Sequence, residues 1–214
     1  MLGIRLMLCA VLLLLGVLTH AQTNISGVIN SYWEVTGIDK CNNNVTLPVT
    51  PIGLAAGDHV ILIQMRGVDA EADNSPAYGS IINLSKSGNY EMFTVQSVVF
   101  NVVTFNEVVG RLYQLAGRVQ LVRVPEYSDA KVVGEVTGQP WNGITGGVIA
   151  MIVNGTLTLN ENIDAKTIGF RGADVTINTP CLVGGPDGFN GYVTTLAEDK
   201  AGKKGEGISE NGDN

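Results

Sequence analysis

Carboxylates are the only plentiful catalytic material in this sequence, which holds 20 aspartates and glutamates but only two histidines. Glycoside cleavage needs two carboxyl groups at a fixed separation across a groove. Asp164 and Asp174 are the pair that strand alternation would turn outward on neighbouring short strands. Nothing selects this pair from the other acids, and aspartates at chain corners commonly cap turns. The sequence therefore favours turn caps over a catalytic pair.

The single histidine outside the first 21 residues is His59. A zinc site with two histidine ligands is thereby excluded there, and no Cys-x-x-Cys pair replaces it. A serine triad would need His59 as its base, yet the sequence has no Gly-x-Ser-x-Gly elbow. A structural or surface histidine is favoured. Residues 205–210 begin like a dinucleotide-binding loop but lack its third glycine.

Two polar stretches are weak candidates for a cation. Asp187 and Asn190 lie in a glycine-rich turn, and Asp69, Glu71 and Asp73 form an acidic loop. Calcium takes six to eight oxygen ligands, more than either stretch supplies. Turn and loop chemistry is favoured for both, so the sequence predicts no metal, no cofactor and no catalytic residue.

Three aromatic residues would stack on sugar rings if they were exposed: Tyr32, Trp33 and Trp141. Aromatic side chains beside apolar strands usually belong to the core instead. The core interpretation is favoured, and sugar stacking is kept as the alternative.

The first 21 residues have the layout of a cleavable secretory signal. Arg5 supplies a positive charge, an apolar run extends from Leu6 to Leu18, and Ala21 places a small residue before Gln22. The run is shorter than the roughly 20 residues that cross a bilayer, so an uncleaved anchor is disfavoured. The sequence predicts a secreted or cell-surface protein with no stable membrane span after cleavage.

The net charge limits the kinds of partner that the protein can bind, and the cysteines bear on its redox compartment. The net charge of -7 argues against nucleic acid, since phosphate binding needs a basic surface. Cys41 and Cys181 would form a disulfide in an oxidising compartment, or remain two unpaired thiols. The sequence leaves both states of this pair open.

Short runs rich in β-branched residues, separated by turns, dominate residues 22–133. They include Val60–Met65, a hairpin over Tyr90–Phe105, and Val119–Val124, which stops before Pro125. Several short strands with turns between them predict a small antiparallel β-sandwich or barrel.

Much shorter strands follow in residues 134–196. They are Leu157–Leu159, Ile163–Ala165 and Val175–Ile177. Leu157, Ile163, Gly169 and Val175 recur at a spacing of six, which predicts the first coils of a parallel β-helix. Residues 197–214 are polar and glycine-rich, which predicts a flexible tail. One or two coils rarely close a solenoid core, so we expect the chain to be the front part of a longer protein.

Many short stretches between about residue 32 and residue 210 recur together in a known kind of protein. They are Gly57–Met65, Gly88–Glu91, Val119–Ser128, Trp141–Gly147, Gly155–Leu159 and Gly169–Gly172. In this order they resemble the amino-terminal region of large secreted, adhesin-like surface proteins of Bacteroidetes-type bacteria. Such proteins often end in a sorting domain for type IX secretion. The resemblance implies no assigned chemistry and no catalytic residue.

The sequence as a whole predicts an all-β, non-enzymatic extracellular module, structural or adhesive, that caps a β-helical surface protein. Extracellular polysaccharide or cell-surface components are the partners such a module would meet. The alternative is a carbohydrate-binding or carbohydrate-cleaving β-helix protein. A third hypothesis, a periplasmic binding protein for a small ligand, would need a deep apolar pocket in the β-domain.

Overall fold

The computed structural model describes residues 22–71, 73, 75–172 and 206–209, and this part of the chain is almost entirely β-structure. One short 3-10 helix spans Leu115–Gly117. The strands are β1 (Thr23–Val28), β2 (Ser31–Glu34), β3 (Gly37–Asp39), β4 (Asn44–Thr46), β5 (His59–Gln64), β6 (Asp69–Ala70), β7 (Ile81–Asn83), β8 (Tyr90–Val99), β9 (Val102–Phe105), β10 (Val119–Val124), β11 (Glu126–Tyr127), β12 (Ala130–Thr137), β13 (Ile152–Val153) and β14 (Leu157–Leu159). The predicted all-β class is confirmed.

Seven of these strands form one antiparallel sheet in the order β2-β10-β5-β8-β9-β4-β3. Its two outer strands, β2 and β3, are consecutive parts of one segment, residues 31–39. Midway along that segment, Val35 N–H donates to Val119 O and Thr36 N–H donates to Thr46 O, both at 2.9 Å. The segment therefore leaves β10 and joins β4, which closes the sheet into a barrel. The barrel alternative of the sequence prediction is the one that forms.

Alternate residues of the barrel strands fill its interior. On β5, Val60 and Leu62 are fully buried while Ile61 between them is partly exposed. Phe93 of β8 and Phe105 of β9 stack with ring centroids 4.4 Å apart. This alternation of apolar and outward-facing positions matches the pleat, so the strands signalled by the sequence fold as predicted.

A second sheet is parallel and has the order β1-β12-β14. Ile25 of β1 pairs with Val132 of β12, which in turn pairs with Leu159 of β14. Ala130 pairs with Leu157, so one coil of the solenoid takes 27 residues. β11 and β13 form a second, shorter parallel ladder. These stacked ladders are the beginning of a parallel β-helix, as predicted for the fold class.

The barrel is inserted between the first two coils. β1 and β12 belong to the parallel sheet, whereas the sequence prediction placed β1 and the part of β12 up to Val133 in an antiparallel domain over residues 22–133. The difference arises because a half-buried strand has the same alternation in either kind of sheet, and its parallel partner lies over a hundred residues away.

The spacing of six residues also has a different meaning from the one predicted. Leu157 and Ile163 do not stack on each other, because they pair with Ala130 and Val136 of the preceding coil. Six residues is thus a step along one coil, and 27 residues is the stacking period. The third predicted strand, Val175–Ile177, lies outside the described residues.

Four residues of the predicted flexible tail are described, and they lie against the end of the barrel. Gly67 N–H and Val68 N–H both donate to Ile208 O, at 2.9 and 3.0 Å. The buried guanidinium of Arg66 donates from Nε to Gly207 O at 3.0 Å. Glu206–Ser209 thus hydrogen-bonds to the chain that follows β5, a contact that the prediction of a flexible tail did not include. The other tail residues lie outside the described part.

Candidate functional site

The contact between barrel and solenoid, which we call the junction, is built from buried side-chain amides. Gln120 of β10 is fully buried, and its Nε2 donates to Gly146 O while its Oε1 accepts from Gly146 N–H, both at 2.9 Å. The pair reproduces the two bonds of a β-ladder between elements that form no ladder. Gly146 has φ +111°, and a Cβ there would lie 2.6 Å from Pro140 O, so only glycine fits.

Asn30 forms the second amide contact of the junction, at the turn where the chain passes from β1 into the barrel. Its Nδ2 donates to Arg123 O at 2.9 Å and to Ala150 O at 2.6 Å, and its Oδ1 accepts from Ala150 N–H at 3.1 Å. One side chain thereby joins the first coil, barrel strand β10 and the chain leading to β13. Buried amides satisfied in this way fix orientation, because any shift would leave a polar group unpaired.

The aromatic candidates serve this junction and the cores, so the core interpretation is correct for them. The hydroxyl of Tyr32 donates to Val148 O and accepts from Gln139 N–H. Burial raises the pKa of Tyr32, an effect partly opposed by the bond from Gln139. Trp33 packs against the barrel core, and Trp141 is buried with its ring edge-on to Phe170. Trp141 is almost fully buried, whereas Tyr32 and Trp33 are partly buried.

Charged residues complete the junction on its solvent side. Arg123 Nη2 lies 2.8 Å from Asp58 Oδ1, and His59 Nε2 lies 3.3 Å from Glu126 Oε2. Asn154 Nδ2 donates to the other oxygen of Glu126 at 2.7 Å. Burial raises the pKa of Asp58, but hydrogen bonds from Arg123 and Ala55 outweigh it and hold that pKa below its usual range.

His59 is therefore a structural histidine, as the sequence favoured. It ties barrel strand β5 to β11 of the second coil through Glu126, which the third coil also contacts through Asn154. The sequence showed nothing of this role, because the partners come from three separate segments.

Two of the acidic candidates, Asp164 and Glu71, cap turns. Asp164 Oδ1 accepts from Lys166 N–H at 2.8 Å, and this bond and the Lys166 ammonium lower the pKa of Asp164. In the acidic loop, Glu71 accepts from Asp73 N–H at 3.2 Å. No group of three or more potential metal ligands occurs among the described residues.

Several sequence candidates cannot be placed. Asp174, Asp187, Asn190 and Cys181 lie outside the described residues. Cys41 is exposed and has no disulfide partner within the described ranges.

The open edge of the solenoid is the second functional feature. In the column of paired inward residues, Ile25 and Val132 are buried at 5% and 0% exposure, but Leu159 of the last described coil is 60% exposed. Two neighbouring pairs show the same difference in exposure. Ala130 and Val136 of the second coil are buried, whereas their partners in the third coil, Leu157 and Ile163, are exposed. Within the described residues, the inward positions are therefore buried in the second coil and exposed in the third.

The two outer strands of the parallel sheet differ in regularity. The register of β1 shifts between Ile25 and Gly27, and Gly27 has φ +68°. β14 pairs with β12 without a shift over its three residues. A bulged, twisted edge resists further pairing, whereas a regular edge accepts another strand.

Sequence reasoning missed the junction amides Gln120 and Asn30. Gln120 alternates with apolar neighbours, a pattern that indicates an outward, solvated side chain. It points outward from the barrel, but the chain around Gly146 covers it. A signal for this burial exists only in the folded chain, where two distant segments meet.

Comparisons with known proteins give three solved structures. No protein-family model matches the chain, and no curated protein matches it. The tailspike gp61 of Pseudomonas phage phi297 matches with 13% identity and TM-score 0.34, covering 64% of this chain and 22% of its own. The tailspike gp49 of Pseudomonas phage LKA1 has 18% identity, TM-score 0.29 and coverages of 65% and 23%.

The third is the gp54 tailspike of Acinetobacter baumannii bacteriophage AP22, solved in complex with a capsular saccharide of A. baumannii. Its identity is 11%, its TM-score 0.33, and its coverages are 64% and 22%. The chain thus spans less than a quarter of each of these tailspikes. Within the described part of the chain, no helix has the length and apolarity needed to cross a bilayer.

Proposed function

We propose that this chain is a non-enzymatic, extracellular structural module that begins a β-helix and caps its first end in an adhesin-like surface protein. The observation that carries the proposal is the change along each inward column, from buried in the second coil to exposed in the third. Apolar side chains at an uncovered end are stabilised when a further coil stacks on them.

The direction of stacking is supported by the edges of the parallel sheet. The bulge at Gly27 disfavours a strand beside β1, and the regular register of β14 favours one there. Further coils would therefore add beyond β14, which makes β1 the starting end.

The barrel is the part of the module that projects from the start of the solenoid. Because Gln120, Asn30 and Tyr32 fix the junction from three elements, the barrel would be held in one orientation for contact with a surface. Extracellular polysaccharide and cell-surface components remain its proposed partners. The turn-capping roles of Asp164 and Glu71 support a structural rather than a catalytic use of these acids.

The open edge can be tested through self-association of residues 22–214. Because Leu157 and Leu159 of β14 are exposed, we expect two copies to associate through their β14 edges, so that sedimentation velocity shows concentration-dependent association. The double substitution Leu157→Thr with Leu159→Thr should weaken this association about tenfold or more, because it removes the apolar contact area.

The matched control is Val133→Thr, which changes an exposed apolar residue of β12 that does not face the interior column. A chain that remains monomeric at millimolar concentration, or a control that weakens association as much as the β14 variant, would contradict the proposal.

Secretion is tested separately with the full sequence. Expression in a secreting bacterial host should release a protein whose measured mass equals that of a chain beginning at Gln22. Retention of an uncleaved chain in the cell or membrane fraction would contradict the extracellular part of the proposal.

A further inference from the structure

The hairpin that joins β8 to β9 has an unusual residue at its turn. Val99 pairs with Val102, so Phe100 and Asn101 form a two-residue loop. Phe100 has φ +54°, in the left-handed region. Turns of this length favour glycine or asparagine at such a position, because a side chain there is strained.

Phe100 is also 81% exposed, so its ring gains almost nothing from packing within the chain. A bulky residue at positive φ is an outlier, and a strained residue with no internal contact to hold it is a reason to look for an external one.

Further exposed apolar residues lie in the loop that runs along this hairpin. Leu47 and Asn101 fix the start of the loop, with Leu47 N–H donating to Asn101 O at 2.8 Å and Asn101 Nδ2 donating to Leu47 O at 2.7 Å. Gly57 N–H donates to Val95 O at 2.8 Å and fixes its end. Between these anchors, Val49 is exposed and Ile52 is 90% exposed.

We call Val49, Ile52, Val99 and Phe100 the apolar tip. The stretches that build it, residues 41–57 and 92–106, contain no charged residue, in a chain whose net charge is -7. Single exposed apolar residues are ordinary, but four in two hydrogen-bonded stretches that contain no charge mark an interaction site.

We propose that the apolar tip inserts into the surface of a bilayer whose lipids carry no net charge. Inserting the tip transfers three aliphatic side chains and one phenyl ring out of water and desolvates no charged group. The absence of lysine and arginine from the tip removes the attraction that anionic lipids would need, and the acidic chain would be repelled by them.

The composition of the tip favours lipid over the other two classes of partner. Sugar platforms combine a flat aromatic ring with converging polar groups, whereas three of the four tip residues are aliphatic. Protein interfaces are enriched in tyrosine, tryptophan, phenylalanine, methionine and arginine, and Phe100 is the only tip residue of these types. A wholly apolar projection fits a continuous apolar phase.

The test uses residues 22–214 and phosphatidylcholine vesicles in a flotation assay. The wild-type chain should partition onto these vesicles, and changing the salt concentration should leave the partition coefficient unchanged. Phe100→Asn should lower that coefficient about tenfold, and adding Ile52→Asn should lower it further, because each removes a large apolar side chain.

Phe100→Asn should at the same time leave the melting temperature unchanged or raise it by about 2 °C, since asparagine tolerates positive φ. A loss of binding without a loss of stability separates a contact role from a folding role. The matched control is Leu112→Asn, an exposed apolar residue of the barrel outside the tip, which should bind within about twofold of wild type.

Two results would overturn the proposal. One is the absence of partition onto phosphatidylcholine, or an equal loss in the Leu112 control. The other is partition that grows with added phosphatidylserine and falls with salt, which would show an electrostatic contact elsewhere on the chain. If Phe100→Asn instead abolishes binding to a neutral glycan or a protein while vesicles stay unbound, the partner is not lipid.

Discussion

The barrel and the solenoid differ in whether their outer strands have hydrogen-bonding partners. In the barrel, residues 31–39 pair with β10 through their first half and with β4 through their second half, so the sheet closes on itself. In the part of the solenoid that the structure describes, β14 is an outer strand, and Leu159 on it is exposed. The barrel is complete with its own strands, whereas the solenoid interior is completed only by the next coil.

The two regions therefore gain their stability from different sources. A closed barrel gains stability from a core that no partner has to supply, as Leu62 and Val60 show by their full burial. A stacked coil gains stability from its neighbours alone, so its outermost member is the least stable and the readiest to accept another. The junction amides join these regions into one unit.

The largest expected effect is a difference in the free energy of unfolding between two leucine substitutions, one in each region. Leu62→Ala should lower the free energy of unfolding by about 3 kcal/mol, because it leaves a cavity in the closed barrel. Leu159→Ala should cost less than about 1 kcal/mol, because that side chain is already mostly in water. Urea unfolding of both variants measures the difference, and equal losses would show that the β14 edge is covered.

The next effect concerns the junction. Gln120→Ala should lower the free energy of unfolding by about 2 kcal/mol, because Gly146 N–H and O would be left buried without partners. Its control is Gln96→Ala, an exposed glutamine of β8, which should change stability by less than about 0.5 kcal/mol.

The same pair of variants tests whether the junction is rigid. Hydrogen exchange around residues 146–150 should speed up in Gln120→Ala and stay unchanged in Gln96→Ala. If both variants exchange at the wild-type rate in this stretch, the amide pair does not hold barrel and solenoid together.

A smaller effect is the pH dependence of the Asp58–Arg123 pair. The pKa of Asp58 is lowered in the folded protein, so its contribution is present above the ordinary aspartate pKa of about 3.9 and is lost as pH falls through the folded pKa. Asp58→Asn should cost about 1 kcal/mol at neutral pH, and the difference from wild type should shrink in acid. The control is Asp73→Asn in the exposed acidic loop, and an acid-independent cost for Asp58→Asn would contradict the ionic account.

The smallest effect tests the docked segment Glu206–Ser209. The hydrogen bond from Arg171 lowers the pKa of Glu206 to about 2, so the contact is present above pH ~4.5 and is lost as pH falls toward 2. Glu206→Gln should loosen the segment at neutral pH with less than about 1 kcal/mol of lost stability, because Arg171 is mostly exposed. Limited proteolysis near Ser209 measures this, and cleavage at the wild-type rate would contradict it.

The sequence predicted what depends on local pattern. The strands around Val60, the hairpin from Tyr90 and the run before Pro125 all form, because alternation and turn residues act within a few positions. It predicted a solenoid from Leu157–Leu159 but not the 27-residue coil, because stacking joins residues that are far apart in sequence.

What the sequence could not show lies where separate segments meet. Gln120 has the pattern of a solvated side chain and is buried by a distant loop. β1 has the pattern of any strand and pairs with β12 beyond the whole barrel. The docking of Ile208 on Gly67 likewise depends on a contact between remote parts of the chain, so a polar, glycine-rich composition misleads there.

The most direct measurement of this account is native-state hydrogen exchange resolved along the chain. We expect slow exchange in the barrel strands β5 and β10 and in β12, and markedly faster exchange in β14, which among the described residues pairs with a strand on only one side. Protection of β14 equal to that of β12, in a chain that remains monomeric, would mean that the solenoid is already closed and would contradict the account.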